Sequence, residues 1–265
     1  MSAIKVGVFG AGGRMGRAVC AAVVEEAGLD LVAAVDPHFA GIDIGEVAGV
    51  AAGSFDVAAS PEALNEADVQ VAIDFTHLDA AKLNLEFCAR NDIHAVIGTS
   101  GFTESDFKSI DASFTSSGCL IAPNFAIGAV LMMRFAELAA PYFETAEIIE
   151  LHHDGKVDAP SGTAVGTAER IAHASGDWAA DPTETETIPG ARGAKGPAGI
   201  SIHSIRMRGM VAHQEVLLGA TGQTLSLRHD SYDRSSFMPG VMLAALKVGD
   251  NSPGLTIGLD GVMGI

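Results

Sequence analysis

The stretch from Ile4 to Asp36 constrains the fold more than any other. Ile4-Lys-Val-Gly-Val-Phe9 is a short apolar run suited to a buried strand. Gly10-Ala-Gly-Gly-Arg-Met-Gly16 follows at once, and Ala18, Val19, Ala22, Val23 and Ala27 then recur at helical spacing until Gly28. Leu31-Val-Ala-Ala-Val35 reads as a second strand, ending at Asp36. The spacing is GxxGxxG, with Gly12 inside it, rather than GxGxxG. A tight turn in some other α/β protein would use the same glycines. It would not need the acid that follows Gly16 by twenty residues at a strand end. A dinucleotide site needs all of these parts. Glycines let the backbone approach the pyrophosphate, the helix N-terminus stabilises its charge, and the acid accepts from ribose hydroxyls.

The alternation continues. Residues 37–54 are Gly-rich and read as a loop, and Ser60-Pro61 has N-cap and first-turn chemistry for a short helix to Ala67. Strands are expected at Val69–Phe75, Ile93–Ile97 and Cys119–Ala122. A helix over Leu78–Asn91 should set Leu83, Phe87 and Cys88 on one face, and Thr103 with Asp106 resembles a capping box opening another. The pattern predicts an α/β, doubly wound (Rossmann-like) parallel sheet, whose ligands bind at the carboxyl ends of its strands. The turns at Gly10–Gly16, Asp36, Gly98–Gly101 and Ala122–Phe125 lie at those ends and should form one cofactor crevice.

Beyond a Met-rich apolar helix from Ile127 to about Tyr142, expected between domains, the pattern changes. Ala146–Leu151, Ile200–Met207, Gln214–Leu218 and Thr224–Arg228 read as strands, with a hairpin turn at Thr221-Gly222. They predict a second, α+β domain with an open, mixed sheet, one face of which is covered by subunit packing, hence a homo-oligomer. A helix at Phe237–Leu246 and a strand at Leu255–Leu259 return to the first domain. The expected division is 1–126 with 238–265, and 127–237.

Chemistry concentrates in Glu150-Leu-His-His-Asp-Gly-Lys-Val-Asp-Ala-Pro-Ser-Gly-Thr-Ala164. The histidines end a strand, Ser161 reads as an N-cap, and the Gly162-Thr163 amides open a helix and attract an anion. A proton donor, a cation and an anion site in one loop point to chemistry on a carboxylate-bearing substrate. Taken singly, each histidine is an ordinary loop residue, and the combination is what carries the reading. The aperiodic stretch 176–199 holds Arg192 and Lys195, which either close over an anionic substrate or are simply solvated.

Composition removes other classes. The formal charge is −17, against a nucleic-acid partner. No apolar run reaches bilayer length, and Met1–Val8 passes straight into strand pattern without a signal peptide, so a cytoplasmic protein is expected. Cys20, Cys88 and Cys119 sit in apolar patterns without CxxC spacing, and no HExxH occurs, so no metal is expected.

These residues together carry a resemblance. Gly10–Gly16, Asp74-Phe-Thr76, Gly98-Thr-Ser-Gly101, Ala122-Pro-Asn-Phe125 and, above all, Glu150–Ala164 resemble the 4-hydroxy-tetrahydrodipicolinate reductase (dihydrodipicolinate reductase) family of bacterial diaminopimelate and lysine synthesis. The resemblance covers nearly the whole chain, and Gly190-Ala-Arg-Gly193 and Val211–Val216 look most like actinobacterial members. It implies a two-domain, usually tetrameric reductase using NADH or NADPH on a small cyclic dicarboxylate imine. It places proton donor/acceptor chemistry on His152, proton donation on Lys156, and substrate contacts on His153, Gly162 and Thr163. Cofactor contacts fall on Gly10, Ala11, Gly12, Gly13, Arg14, Met15, Asp36, Gly98, Thr99, Ser100, Ala122, Pro123, Asn124 and Phe125. Ser100 replaces the family's common Thr and keeps the hydroxyl.

The run Asp36-Pro-His-Phe lacks the Arg that often follows the acid in NADPH-preferring members. Its carboxylate would repel a 2′-phosphate, so NADH should serve at least as well as NADPH, with Arg14 or a loop residue a means to dual use. Two other readings use the same glycine turn. Another dehydrogenase of a small amino or keto acid is one, though thioester chemistry would need a better placed Cys than Cys119. A non-catalytic nicotinamide sensor is the other, and it has no need of His-His-x-x-Lys.

Overall fold

A computed structural model describes residues 2–50, 55–251 and 253–265. The chain divides into two compact units, residues 1–125 with 237–265, and residues 126–236.

The first unit begins with strand β1 (Ile4–Phe9), helix α1 (Arg14–Glu25) and strand β2 (Leu29–Val35). Short helices α2 (Ile44–Ala48) and α3 (Glu62–Glu66) follow, then β3 (Val71–Asp74), α4 (Leu78–Arg90), β4 (His94–Ile97), α5 (Glu104–Ser113) and β5 (Gly118–Ile121). β3 and β5 are buried along their whole length, as strands covered by helices on both faces must be. Phe9, Leu64, Phe87, Ile97, Phe114 and Ile121 belong to the core around them.

Three expectations change here. The 37–54 stretch contains α2, capped by Asp43, whose side chain accepts from the Gly45 amide at 2.8 Å, and closed by Gly49 in the left-handed region. One turn burying Ile44 and Val47 is too short for periodicity to reveal, and 51–54 lies outside the described residues. The helix after Ser60 starts at Glu62, with Pro61 as its N-cap. Leu83 is 66% exposed, because α4 buries the stripe Ala81, Leu85 and Cys88, from which Leu83 is rotated away. The Thr103–Asp106 capping box forms as expected, and hydrogen bonds from Lys82 and Thr103 hold the Asp106 carboxyl down to about 2. All three cysteines are buried, and burial pushes the Cys20 thiol up to about 12, so they behave as core residues.

The second unit holds α6 (Ile127–Ala139), β6 (Thr145–His152), α7 (Gly162–Ala174), β7 (Ala194–Lys195), β8 (Ser201–Arg206), β9 (Ala212–Ala220) and β10 (Gln223–Ser231). Its sheet runs β10-β9-β6-β8-β7 and is mixed, with β6 parallel to β8 and antiparallel to β9. Thr221-Gly222 joins β9 to β10 as a two-residue hairpin. Ile148, Ile202, Val216 and Leu218 pack with Met132, Ala136, Ala168 and Ile171 of α6 and α7. Burying the Ile, Val, Leu and Met side chains among them stabilises the unit by roughly 1.5–3 kcal/mol each. Strand alternation turns Ile149, Leu151, Ile205 and Leu217 to the opposite face, where they are half-buried or exposed. The chain then returns to the first unit through α8 (Met238–Lys247), β11 (Gly254–Ile257) and α9 (Asp260–Met263). The first sheet is thereby completed as β11-β5-β4-β3-β1-β2, parallel throughout.

Among the described residues, no helix is long and apolar enough to cross a membrane. Arg192 and Lys195 are neither simply solvated nor unpartnered. Arg192 bonds Glu147 and Asp181, and Lys195 bonds Asp181 and Ser201, which ties the 176–199 stretch to β6 and β8 of the second sheet.

Candidate active site

β6 delivers His152 at its last position, and Glu150, two residues earlier, projects to the same face. Glu150 is fully buried, and several hydrogen bonds converge on it. Arg206 donates from both terminal nitrogens at 2.8 Å, one to each carboxylate oxygen. The Ser161 amide donates to Oε1 at 3.2 Å, and His152 Nδ1 lies 2.5 Å from Oε2. Burial alone would raise the Glu150 carboxyl, but the bonds from Arg206, Ser204 and His152 outweigh it and hold the group below the usual carboxylate range. Burial pushes His152 below the usual imidazole range, Glu150 only partly offsets this, and the charges of Lys156 and Arg206 add to the fall.

The loop after β6 is pinned at several points. Arg206 donates to the Asp158 carbonyl at 2.7 Å, and the Lys156 amide donates to the His153 carbonyl at 3.2 Å. Lys156 Nζ holds both oxygens of Asp158, at 2.8 and 2.7 Å. His153 is exposed. Ser161 caps α7 as its sequence suggests, accepting from the Ala164 amide at 3.2 Å, and Gly162 opens the helix with open space where a Cβ would stand. Behind it, Gln214 donates to Thr167, which donates to the Thr163 carbonyl at 2.7 Å. A weakly basic imidazole, an ammonium group and a helix N-terminus therefore lie on one braced strand-to-helix connection. Such a set can bind carboxylates and move a proton.

In the first unit the strand-end turns interlock. Gly10 adopts φ +68 and accepts from the Gly13 amide at 2.9 Å. A Cβ on Gly16 would stand 2.0 Å from the Gly10 carbonyl, so only glycine lets α1 start this close to β1. Asp36 is 7% exposed and accepts from the Gly12 and His38 amides, both at 3.0 Å. Thr99 donates to the Thr76 carbonyl at 2.7 Å, and Gly98 leaves room for the Phe75 ring, whose centroid is 5.5 Å from that of Phe125. Arg14 and Met15 begin α1, Ser100 follows Thr99 at the end of β4, and Ala122, Pro123 and Asn124 follow β5. The expected cofactor residues thus gather at the carboxyl ends of β1, β2, β4 and β5. The tight glycine turn, helix start and acid at the second strand fit a dinucleotide. Among the described residues, no cluster of His, Cys, Asp or Glu is arranged to hold a metal ion.

Two family models account for most of the chain. Residues 4–125 match dihydrodipicolinate reductase, N-terminus, and residues 128–263 match dihydrodipicolinate reductase, C-terminus. The chain belongs to the dihydrodipicolinate reductase family.

Curated members of this reductase family resemble it over full length. The 4-hydroxy-tetrahydrodipicolinate reductase of Corynebacterium urealyticum is 47% identical, covering 99% of both chains. That of Mycobacterium marinum is 48% identical, covering 99% of this chain and 100% of the relative. Among solved structures, a dipicolinate-bound dihydrodipicolinate reductase from Paenisporosarcina sp. TG-14 superposes with a TM-score of 0.85 at 41% identity, over 98% of this chain and 99% of that one.

Two residues of this dihydrodipicolinate reductase family member make contacts at the site that reading the sequence missed. Glu150 was visible only as the start of a motif, though its place two residues before His152 on a strand was a signal. Arg206 had no local signal. It reaches Glu150 only because β6 and β8 pair with His152 opposite Arg206.

Proposed function

We propose that this chain reduces 4-hydroxy-tetrahydrodipicolinate, through its dehydrated imine, to tetrahydrodipicolinate in diaminopimelate and lysine synthesis, a cytoplasmic pathway. The observation that carries the reading is the braced His152–Lys156–Gly162 connection, in a chain so similar to named reductases over its whole length. A bound nicotinamide dinucleotide supplies hydride to C4 of the conjugated imine.

The residues do the rest. Gly162 and Thr163 at the start of α7 receive one carboxylate, and Lys156 leaves Asp158 to meet the other or to donate a proton. His153 adds a further substrate contact. His152 carries a proton to or from the ring carbon that becomes electron-rich after hydride addition. General acid help of this kind is worth roughly 10²–10⁴-fold. Asp36 selects the adenosine ribose, and its charge favours NADH at least equally with NADPH. The half-buried apolar face bearing Ile149, Leu151 and Leu217 supports a homotetramer built through the second sheet.

The test is to supply purified protein with NADH and the condensation product of pyruvate and aspartate semialdehyde. Loss of NADH absorbance above a substrate-free control is expected, and its absence overturns the reading.

A further inference from the structure

The contacts made by Glu150 go beyond what packing requires. Its neighbour on the same face of β6, Ile148, is apolar and fully buried, and an apolar residue at 150 would fill the space without burying charge. Replacing buried ion pairs by packed hydrophobes is often neutral or stabilising, so a carboxylate here calls for another account. The guanidinium that meets it is committed as well. Arg206 turns both terminal nitrogens to Glu150, while its Nε is buried without a hydrogen-bond partner. The two groups hold three parts of the loop. Glu150 takes His152 Nδ1 at the loop's entry and the Ser161 amide at its exit, and Arg206 takes the Asp158 carbonyl between them.

We propose that Glu150, fixed by Arg206, is the positioning residue of the reaction, which sets the tautomer of His152 and the geometry of the 153–161 loop. The inference rests on the reductase reading above. An ionised carboxylate can only accept, so the neutral imidazole must place its proton on Nδ1. Nε2 is then the nitrogen that gains and loses the working proton. When Nε2 is protonated the ring is an imidazolium, and the adjacent carboxylate stabilises it without itself taking the proton. When Nε2 delivers that proton to the substrate carbon, the ring returns to the same Nδ1–H form. The logic is that of an acid–imidazole pair in which the acid orients and the imidazole transfers.

The neutral isostere gives a sharp test. In Glu150→Gln, two donors already claim the Oε1 position, one from Arg206 and one from the Ser161 amide. The Oε2 position meets one fixed donor, the other Arg206 nitrogen, so the amide oxygen satisfies more donors at Oε1, and the NH2 is left facing His152. That group donates to Nδ1 and forces the proton to Nε2.

The experiment is ¹⁵N NMR of histidine-labelled protein, with the His152 signals assigned by their loss in His152→Gln, alongside steady-state kinetics. The parent should show the Nδ1–H tautomer at neutral pH. Glu150→Gln should show Nε2–H, a lower titration midpoint, and kcat reduced by about 10²-fold or more with KM little changed. A parent with the proton on Nε2 overturns the proposal, and so does a Glu150→Gln protein with the parent's tautomer, midpoint and kcat. If Glu150→Gln fails to fold, the parent's tautomer still decides. A parent that does not reduce the substrate overturns the reductase reading, and with it the positioning role of Glu150. An active parent carrying Nε2–H overturns the positioning role alone.

Discussion

Asp36 accepts a hydrogen bond from the Gly12 amide at 3.0 Å, so the acid that ends β2 is fastened to the glycine turn that follows β1. The His38 amide supplies a second bond at 3.0 Å. The carboxylate cannot swing aside without leaving two amides unpaired, and a 2′-phosphate arriving there meets a fixed negative charge.

Cofactor choice follows from that constraint. The parent should give a kcat/KM with NADH at least equal to that with NADPH. Asp36→Asn removes the charge and keeps an acceptor, and should move the ratio toward NADPH by about tenfold or more. A strong NADPH preference in the parent would refute the argument.

Stability should depend on histidines held neutral. Burial lowers His94, His152 and His229 below the usual imidazole range, and His94 Nδ1 accepts from the Gly118 amide at 2.8 Å, a bond that protonation would break. The unfolded chain takes up these protons at a higher pH than the native one. Their contribution is therefore fully present above the unfolded imidazole value, about 6.5, and falls as pH drops toward the lowered native values. Urea unfolding should show lower stability at pH 5.5 than at 7.5. His94→Asn, which keeps an acceptor but cannot titrate, should flatten that slope.

The second sheet makes a prediction about assembly. Ile205 is 37% exposed and stands opposite Leu151 in the β6–β8 register, on the face away from α6 and α7. Light scattering should give the parent about four times its 27.1 kDa chain mass. Ile205→Asp places a charge on that face and should lower the measured mass. A monomeric parent would contradict the proposed tetramer.

The first sheet was legible because parallel strands buried on both faces read as apolar runs, and because Gly10–Gly16 and Asp36 carry their mechanism in their spacing. Ser161 and Thr103 announced their helices for the same reason, since caps are local. What was hidden depends on contacts distant in sequence. Arg206 lies 56 residues from Glu150, and strand register alone brings them together. Arg192 and Lys195 read as either substrate-closing or solvated because nothing nearby in sequence names Glu147 or Asp181 as their partners. Leu83 was misplaced by assigning a helix face from too few apolar positions, where the stripe through Ala81, Leu85 and Cys88 decides it.

The most direct test compares His152→Ala and Lys156→Ala with the parent, measuring kcat for reduction of the pyruvate–aspartate semialdehyde condensation product and, separately, NADH affinity. Both residues lie in the second unit, and the glycine turn and Asp36 lie in the first. Turnover should fall by roughly 10²–10⁴-fold in each variant while NADH binds as it does to the parent. Turnover near the parent's in both variants would contradict the assignment of the chemistry to this loop.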